Sequence, residues 1–448
     1  MRQLIVILLS CVLWSCSSGV KIWYDPVPAG PSEEPSVEPS DEPSGSEEPA
    51  VSEDPSEEDI ASPPANFPQI RITTNGGKPV EDRENYINGS ITYLDPDHIY
   101  SSTEKVTSTM KIRGRGNSTW DFFPKKPYRV KMDNKLSVFG IHADKDWILL
   151  AEYSDKTLLH NRFGMELSKI CGMYWTPQMR SVEVWFNDVY DGVYTLSEHK
   201  EVNGHKVDIS DKGFYLEIGE DMNEPVCFFT AMGIPIMFKE PSEPTAEQQD
   251  YVKGCFKAFE DALAVPWKGE YRSLIDVDSF VNFFIVEELC KNPDGNLRRS
   301  SFMTLDTDKK LTMYHVWDFD LAFGNCDFFT SLYGLDASPT GWFVKNYNRD
   351  GRDRGWYWKL FQDPYFVEKV KRRWKEVYPR LKDITSYIDE QALFLSEAQA
   401  RNFQRWPIMG VYVWPNAKVA KTYEGEIYNL WDFYYLRLDW MDAQINSW

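Results

Sequence analysis

The feature that most constrains this chain is a loop and hairpin pattern bounded by two acidic residues. The segment after a predicted helix reads KNPDGN, and Pro293 prevents a simple continuation of that helix. The runs SSFMTLD and LTMYHVWDFD then read as strands joined by a short turn at TDKK. A hairpin brings its outer ends together, because paired strands lie about 5 Å apart. Asp294 and Asp318 are therefore predicted to be neighbours.

A third carboxylate follows closely. Asp318 and Asp320 are two residues apart, so they share a face if the strand persists. Three carboxylates beside one loop repel each other unless a divalent cation lies among them, and oxygen ligands suit Mg²⁺ or Mn²⁺. The alternative is that these residues cap loops and pair with Arg298 or Arg299. We favour the metal site, because unpaired buried charge is costly.

The order of these elements matches enzymes of phosphoryl transfer. A protein kinase places its catalytic Asp on a loop after a helix, and its Mg²⁺-binding Asp just past the following hairpin. The sequence motifs HRD, DFG and GxGxxG are absent, and Arg299 stands where a kinase has the Asn of its second metal site. The layout alone is therefore weaker evidence than a complete set of kinase motifs.

The periodic segments predict an α+β chain with two lobes. Alternating runs such as QIRITT and KPYRVKM fall in 67–245, which we expect to be the strand-rich lobe. From Ala246 the apolar residues recur at helical spacing, so 246–448 is expected to be helix-rich. The sequence thus predicts one folded region, 67–448, with the strands in its first part and most helices in its second.

Four motifs, in this order, resemble the spore coat protein H (CotH-type) kinase family. They are KIRGRGNSTW…KKPYRVKM, DKDWILLAEYSDKTLLHN, GVYTLSEH and VWDFDLAFGN. The resemblance implies an atypical protein-kinase-like two-lobed fold that uses ATP and a divalent metal, Mg²⁺ or Mn²⁺. It also implies that extracytoplasmic proteins are phosphorylated on Ser or Thr. Asp294 is then the catalytic residue, and Asp318, with Asp320, holds the metal.

The resemblance also indicates a role for a basic stretch of the sequence. Lys111–Lys131 holds seven Lys or Arg and one Asp, in a chain whose formal charge is −20. Gly114 and Gly116 let the backbone approach anionic oxygens, while Arg113 and Arg115 supply positive charge. We expect these arginines to bind the phosphates of ATP.

The same site is expected to include Lys131 from the next strand and Glu166 from the helix that follows. By analogy with kinases, Glu166 pairs with Lys131, although an i,i+4 bridge from Glu166 to Arg162 is equally compatible with the sequence. The alternative to a phosphate site is a solvated basic turn held by Asp146 or Asp155.

The N-terminus carries an export signal. Arg2 precedes a short apolar run, and Leu13-Trp14-Ser15-Cys16 resembles a bacterial lipobox. We expect 1–15 to be a lipoprotein signal peptide and Cys16 to carry the lipid, which anchors the protein to a bacterial cell membrane or outer membrane on its extracytoplasmic side. The alternative is an ordinary secretory signal with an incidental Cys.

Between this signal and the folded region, 16–66 is predicted to be a disordered tether. Pro31–Ile60 contains twelve Asp or Glu and no Lys or Arg, in a Pro/Ser/Glu repeat that cannot bury enough apolar surface to fold. The acidity disfavours a nucleic-acid binder. The remaining cysteines are widely spaced, which argues against a zinc site or a full disulfide framework.

Two other functions remain open from the sequence. The 17 Trp and 24 Tyr are compatible with a carbohydrate-binding surface protein, although most lie in periodic segments that predict a core. A pseudokinase, which keeps the fold without catalysis, is the second alternative. The presence of both Asp294 and Asp318 favours an active kinase.

Overall fold

A computed structural model describes residues 66–327, 337–345 and 355–448. The predicted signal peptide, Cys16 and nearly all of the acidic tether lie outside these residues. Within the described ranges, no helix combines the length and apolarity needed to cross a lipid bilayer. The five cysteines there are free thiols, and Cys171, Cys290 and Cys326 are buried.

Seven strands of the first part form a closed barrel. They are β1 Gln69–Thr74, β2 Ile87–Leu94, β3 Lys105–Gly114, β4 Tyr128–Leu136, β5 Asp144–Leu150, β6 Met179–Phe186 and β7 Val189–Glu198. Their order around the barrel is β1-β2-β3-β4-β5-β7-β6, and the parallel pairing of β1 with β6 closes it. Apolar residues at alternate positions point inward, as Met110 and Ile112 do on β3.

The β6–β7 hairpin shows how the sequence sets local geometry. Asn187 and Asp188 form its turn with φ of 49° and 64°, a conformation that short polar residues tolerate. Gly192 lies opposite Val184 where the register shifts, which marks a β-bulge in this hairpin.

A second sheet has five antiparallel strands. They are β8 Phe214–Ile218, β9 Cys227–Phe229, β10 Pro235–Glu240, β11 Ser301–Leu305 and β12 Leu311–Val316. Their order is β12-β11-β8-β10-β9, so the sheet joins strands from both sides of the 245/246 boundary. The predicted β11–β12 hairpin is confirmed, with Ser301 opposite Val316.

The helices pack around this sheet and beside the barrel. They are α1 Ser118–Phe122, α2 His160–Cys171, α3 Ala246–Ala262, α4 Val277–Cys290, α5 Gly355–Leu360, α6 Pro364–Asp383, α7 Thr385–Phe394, α8 Ser396–Arg405 and α9 Tyr423–Asn446. Thr245 and Gln248 form a capping box at the start of α3, and Gly172, at φ 77°, ends α2. The α+β class is confirmed.

A buried ion pair joins the helical part to the barrel. Arg401 on α8 donates from Nε and Nη2 to the carboxylate of Glu183 on β6, at 2.8 and 2.9 Å. Asn402, the next residue, accepts a hydrogen bond from the backbone N–H of Val193 on β7 at 3.0 Å. These contacts fix α8 against the barrel.

Candidate active site

A polar cavity of about 260 Å³ lies where the turn after β3 meets the five-stranded sheet. Its walls include Asp294, Asp318 and Asp320, so the structure brings the three predicted carboxylates together. Four cationic residues line the same cavity: Arg115, Lys200, Lys239 and Arg299. The cavity therefore combines acidic groups that suit a metal ion with cations that suit phosphate.

Asp294 lies in a tightly shaped loop between α4 and β11. Its backbone N–H donates to Oδ1 of Asn292 at 3.2 Å, and Nδ2 of Asn292 donates to the backbone carbonyl of Asp318 at 3.2 Å. Leu297 and Ser300 have φ of 53° and 51°. Non-glycine residues in this left-handed region are uncommon and cluster at functional sites.

The carboxyl group of Asp294 is held by a neighbouring arginine. Nη1 of Arg298 donates to its Oδ1 at 2.9 Å, and Nη2 of Arg298 lies 2.6 Å from Glu220. Burial raises the pKa of Asp294, the two adjacent arginines oppose that rise, and Asp318 and Glu220 add to it. Pairing with Arg298, the alternative weighed from sequence, thus occurs while Asp294 also lines the cavity.

The strand that precedes Asp318 ends at Val316, so the condition under which Asp318 and Asp320 would share a strand face is not met. Asp318 has φ 70° instead, and this turn carries both carboxylates to the cavity. The backbone N–H of Phe319, between them, donates to Oδ1 of Asn161 at 2.8 Å. The site is therefore held by a kinked backbone rather than by strand periodicity.

The pKa of Asp320 is strongly perturbed in this cavity. Burial raises the pKa of Asp320 well above its usual range, and Asp318, Glu152, Asp294 and other carboxylates add to the rise. Among the described residues, no group of three or more acidic, His or Cys side chains is arranged to hold a metal ion by itself. Mg²⁺ is typically bound by one or two carboxylates together with substrate phosphates. Asp318 and Asp320 fit that smaller donor set.

Arg115 and Arg113 have different surroundings. Arg115 lines the cavity, where burial lowers its pKa and the carboxylates of Asp318 and Asp320 oppose that change. Arg113 instead donates to the backbone carbonyl of Arg83 and does not line the cavity. Only Arg115 of the two lines the cavity, and β3 ends at Gly114, between them.

The predicted pair of Lys131 and Glu166 is absent. Lys131 lies 3.3 Å from Asp146, its neighbour across β4 and β5, and Glu166 lies 2.6 Å from Lys169 on α2. Arg162 donates to Ser181 and Gln391, so the i,i+4 alternative is not formed either. Neither Lys131 nor Glu166 lines the cavity. Asp146 instead pairs with the basic residues of β4, as in the alternative of a solvated basic turn held by an acidic residue.

Two lysines that the sequence analysis did not identify, Lys200 and Lys239, line the cavity instead. Nζ of Lys200 lies over the rings of Phe302 and Trp317, at 4.3 and 4.5 Å, and burial lowers its pKa to about 8. Lys239 pairs with Glu217 at 3.1 Å. Lys200 directly follows the strand-like run GVYTLSEH, and Lys239 is the next-to-last residue of the strand-like run GIPIMFKE. A lysine at the end of a strand was the sequence feature that could have identified both.

Comparison with known proteins agrees with the cavity's chemistry. A family model described as CotH kinase protein matches residues 112–441, which is most of the chain. The matched range contains the basic turn, the three carboxylates and both lysines. No curated protein shows significant similarity to the chain.

Proposed function

Because the chain belongs to the CotH kinase family, we propose that it is an atypical protein kinase that transfers phosphate from ATP to Ser or Thr of extracytoplasmic proteins. The observation that carries this proposal is the convergence of Asp294, Asp318 and Asp320 with four cationic residues on one cavity. In this proposal the barrel and the sheet-and-helix part act as the two lobes of a kinase. Phosphoryl transfer needs positioning and charge compensation, which such a cavity supplies.

Asp318 and Asp320 are the residues that would hold Mg²⁺ or Mn²⁺. When bound, the metal neutralises charge on the phosphates. Burial and the neighbouring carboxylates raise the pKa of Asp320, so a cation held by these two side chains would favour their charged form. Arg115, as expected from the sequence, and Lys200, in place of Lys131, would provide positive charge for the phosphates.

Asp294 acts on the acceptor. The acceptor hydroxyl oxygen forms a bond to the γ-phosphorus, the bond from that phosphorus to ADP breaks, and the hydroxyl proton passes to the Asp294 carboxylate. Its raised pKa suits this role, because a general base works best with a pKa near the operating pH. Arg298 fixes the carboxyl orientation through the 2.9 Å bond to Oδ1.

The location of the enzyme is the second part of the proposal. Export followed by lipidation of Cys16 would hold the kinase at a bacterial cell membrane or outer membrane. The acidic segment Pro31–Ile60 would then separate the folded region from the lipid surface, where like charge on anionic headgroups repels it. Extracytoplasmic proteins are the substrates that such an enzyme reaches.

A labelling experiment tests the activity. The purified protein is incubated with Mn²⁺ and ATP labelled at either the γ- or the α-phosphate, with an extracytoplasmic protein extract as acceptor. We expect label in protein only from γ-labelled ATP, as acid-stable phosphoserine or phosphothreonine. Label from the α-phosphate would mean that a nucleotidyl group is transferred instead. A thermal shift with ATP but no transfer indicates a pseudokinase, and a shift with glycans alone indicates carbohydrate binding.

A further inference from the structure

Two adjacent glutamates near the C-terminal end of α4 are fully buried and differ in their partners. Glu288 accepts from Nη2 of Arg437 at 2.8 Å and from the backbone N–H groups of Phe343 and Lys345, at 2.9 and 2.8 Å. Both carboxyl oxygens of Glu287 lack a hydrogen-bond partner of acceptable geometry. Buried polar groups are normally paired, so an unpaired carboxyl at this position requires an explanation.

The Glu287 carboxyl lies directly against the loop that carries Asp294. A methyl group placed on Gly295 would be 1.9 Å from Oε2 and 2.3 Å from Cδ of Glu287. Gly295 does not have a left-handed φ, so this contact is what excludes a side chain there. The carboxyl therefore occupies the space beneath the backbone of the residue that follows Asp294.

The surroundings favour a neutral carboxyl. Burial raises the pKa of Glu287 well above its usual range, the nearby Asn292 amide opposes this rise, and Asp294 adds to it. Asn296, in the same loop and 1 % exposed, also leaves its amide nitrogen and oxygen unpartnered. A neutral carboxyl can both donate and accept hydrogen bonds, which suits a loop that contains unpaired groups of both kinds.

We propose that Glu287 is a positioning residue, whose carboxyl supports the loop 291–300 from the protein interior and holds Asp294 toward the cavity. The inference deepens the proposed function and rests on it, because the orientation of Asp294 affects turnover only if the protein is a kinase. Its effect on the loop itself can be measured without activity.

Substitutions at the two glutamates separate positioning from general stability. Glu287→Ala should lower kcat about 10- to 100-fold while the KM for ATP stays within about twofold, because a small displacement of a reacting group costs that much. Glu287→Gln keeps the shape and should retain most activity. Glu288→Gln is the matched control, since it weakens a paired buried glutamate one residue away and should lower the melting temperature with little change in kcat.

Hydrogen exchange gives the readout that does not depend on catalysis. In Glu287→Ala we expect faster amide exchange across 291–300, with near-normal rates in Glu287→Gln and Glu288→Gln. If wild-type protein transfers no phosphate, the proposed function fails while this exchange result still decides the positioning role. Unchanged exchange and unchanged kcat in Glu287→Ala would overturn the inference.

A double substitution keeps the inference testable even if Glu287→Ala alone destabilises the protein. Gly295→Ala should impair the protein because its methyl group collides with the Glu287 carboxyl. Glu287→Ala removes that carboxyl, so Gly295→Ala should cost less activity and less loop protection in the Glu287→Ala background than in wild type. Strictly additive effects would show that the two residues do not interact and would contradict the proposed support.

Discussion

Nδ2 of Asn292 donates a hydrogen bond to the backbone carbonyl of Asp318 at 3.2 Å, and thereby joins the two ends of the β11–β12 hairpin. Oδ1 of the same side chain accepts from the N–H of Asp294 at 3.2 Å. One fully buried side chain thus bridges the proposed catalytic residue and the proposed metal ligand. The relative position of the two carboxylates is fixed by this bridge as well as by the hairpin.

Replacing Asn292 tests the bridge. Asn292→Ala leaves the Asp294 N–H and the Asp318 carbonyl without this partner, so we expect turnover to fall roughly tenfold and stability to fall by about 1–2 kcal/mol. Enzyme kinetics and urea unfolding measure the two effects. Asn282→Ala, which removes a hydrogen-bonding Asn on α4 away from the cavity, should lower stability alone. Equal turnover in the two variants would argue against the bridge.

Lys200 predicts a pH dependence of nucleotide binding. Its pKa of about 8 in the ligand-free protein means that the ammonium is charged below pH 8 and loses its charge as the pH rises further. Affinity for Mg²⁺–ATP should therefore fall by roughly tenfold between pH 7 and 9.5, the loss expected for one charge-assisted hydrogen bond. Lys200→Arg stays charged over this range and should flatten the profile. Calorimetric titration across pH provides the measurement. Identical pH profiles for wild type and Lys200→Arg would contradict the assignment of Lys200 to the phosphate site.

Glu152 predicts a pH dependence of stability. Nδ2 of Asn161 donates to it at 3.0 Å, and burial raises its pKa from 4.5 to about 7. A raised carboxyl pKa contributes stability below pH 4.5 that is lost as the pH rises through 7. Glu152→Gln, which keeps the acceptor, should match wild type near pH 4.5 and exceed its unfolding free energy by about 3 kcal/mol at pH 8.

Urea unfolding at several pH values measures this difference. Glu166→Gln is the surface control, and it should change stability by less than about 0.5 kcal/mol at either pH. A Glu152→Gln variant that is less stable than wild type at pH 8 would show that the ionised carboxylate is favourable in the fold. That result would contradict the pKa argument.

The Arg401–Glu183 pair should contribute strongly to holding the helical part against the barrel. Arg401→Ala leaves the Glu183 carboxylate, which is 0 % exposed, without its cation. We expect a loss of about 3–5 kcal/mol in unfolding free energy. Arg372→Ala, at an exposed position on α6, should stay within about 0.5 kcal/mol of wild type. Similar unfolding curves for the two variants would show that the buried pair is unimportant.

Local patterns predicted the hairpin and the convergence of the three carboxylates. Barrel closure was not predictable in the same way, because it depends on β1 pairing with β6, for example Ile70 opposite Val184. Alternation marks both segments as strands but does not specify a partner more than a hundred residues away. For the same reason, the five-stranded sheet, in which β8 pairs with β11, was not predictable from alternation alone.

The binding residues show where sequence reasoning failed. The assignment of Arg113 rested on its charge beside two glycines, and that of Lys131 on kinase analogy; neither residue lines the cavity. Lys200 became a site residue only when tertiary packing placed its Nζ against Phe302 and Trp317. Asp318 lines the cavity because its backbone lies in the left-handed region, and the conformational preference of Asp does not predict that conformation.

The most direct test of the account compares Asp294→Asn and Asp318→Asn in calorimetric titrations with ATP, with and without Mn²⁺, alongside transfer of the γ-phosphate. Asp294→Asn should bind Mn²⁺–ATP as wild type does while turnover falls by roughly 10²-fold or more, the range for loss of a general base. Asp318→Asn should lose metal-dependent ATP binding together with turnover. Wild-type affinity for Mn²⁺–ATP in Asp318→Asn, or full turnover in Asp294→Asn, would contradict the assignment of this cavity as a kinase active site.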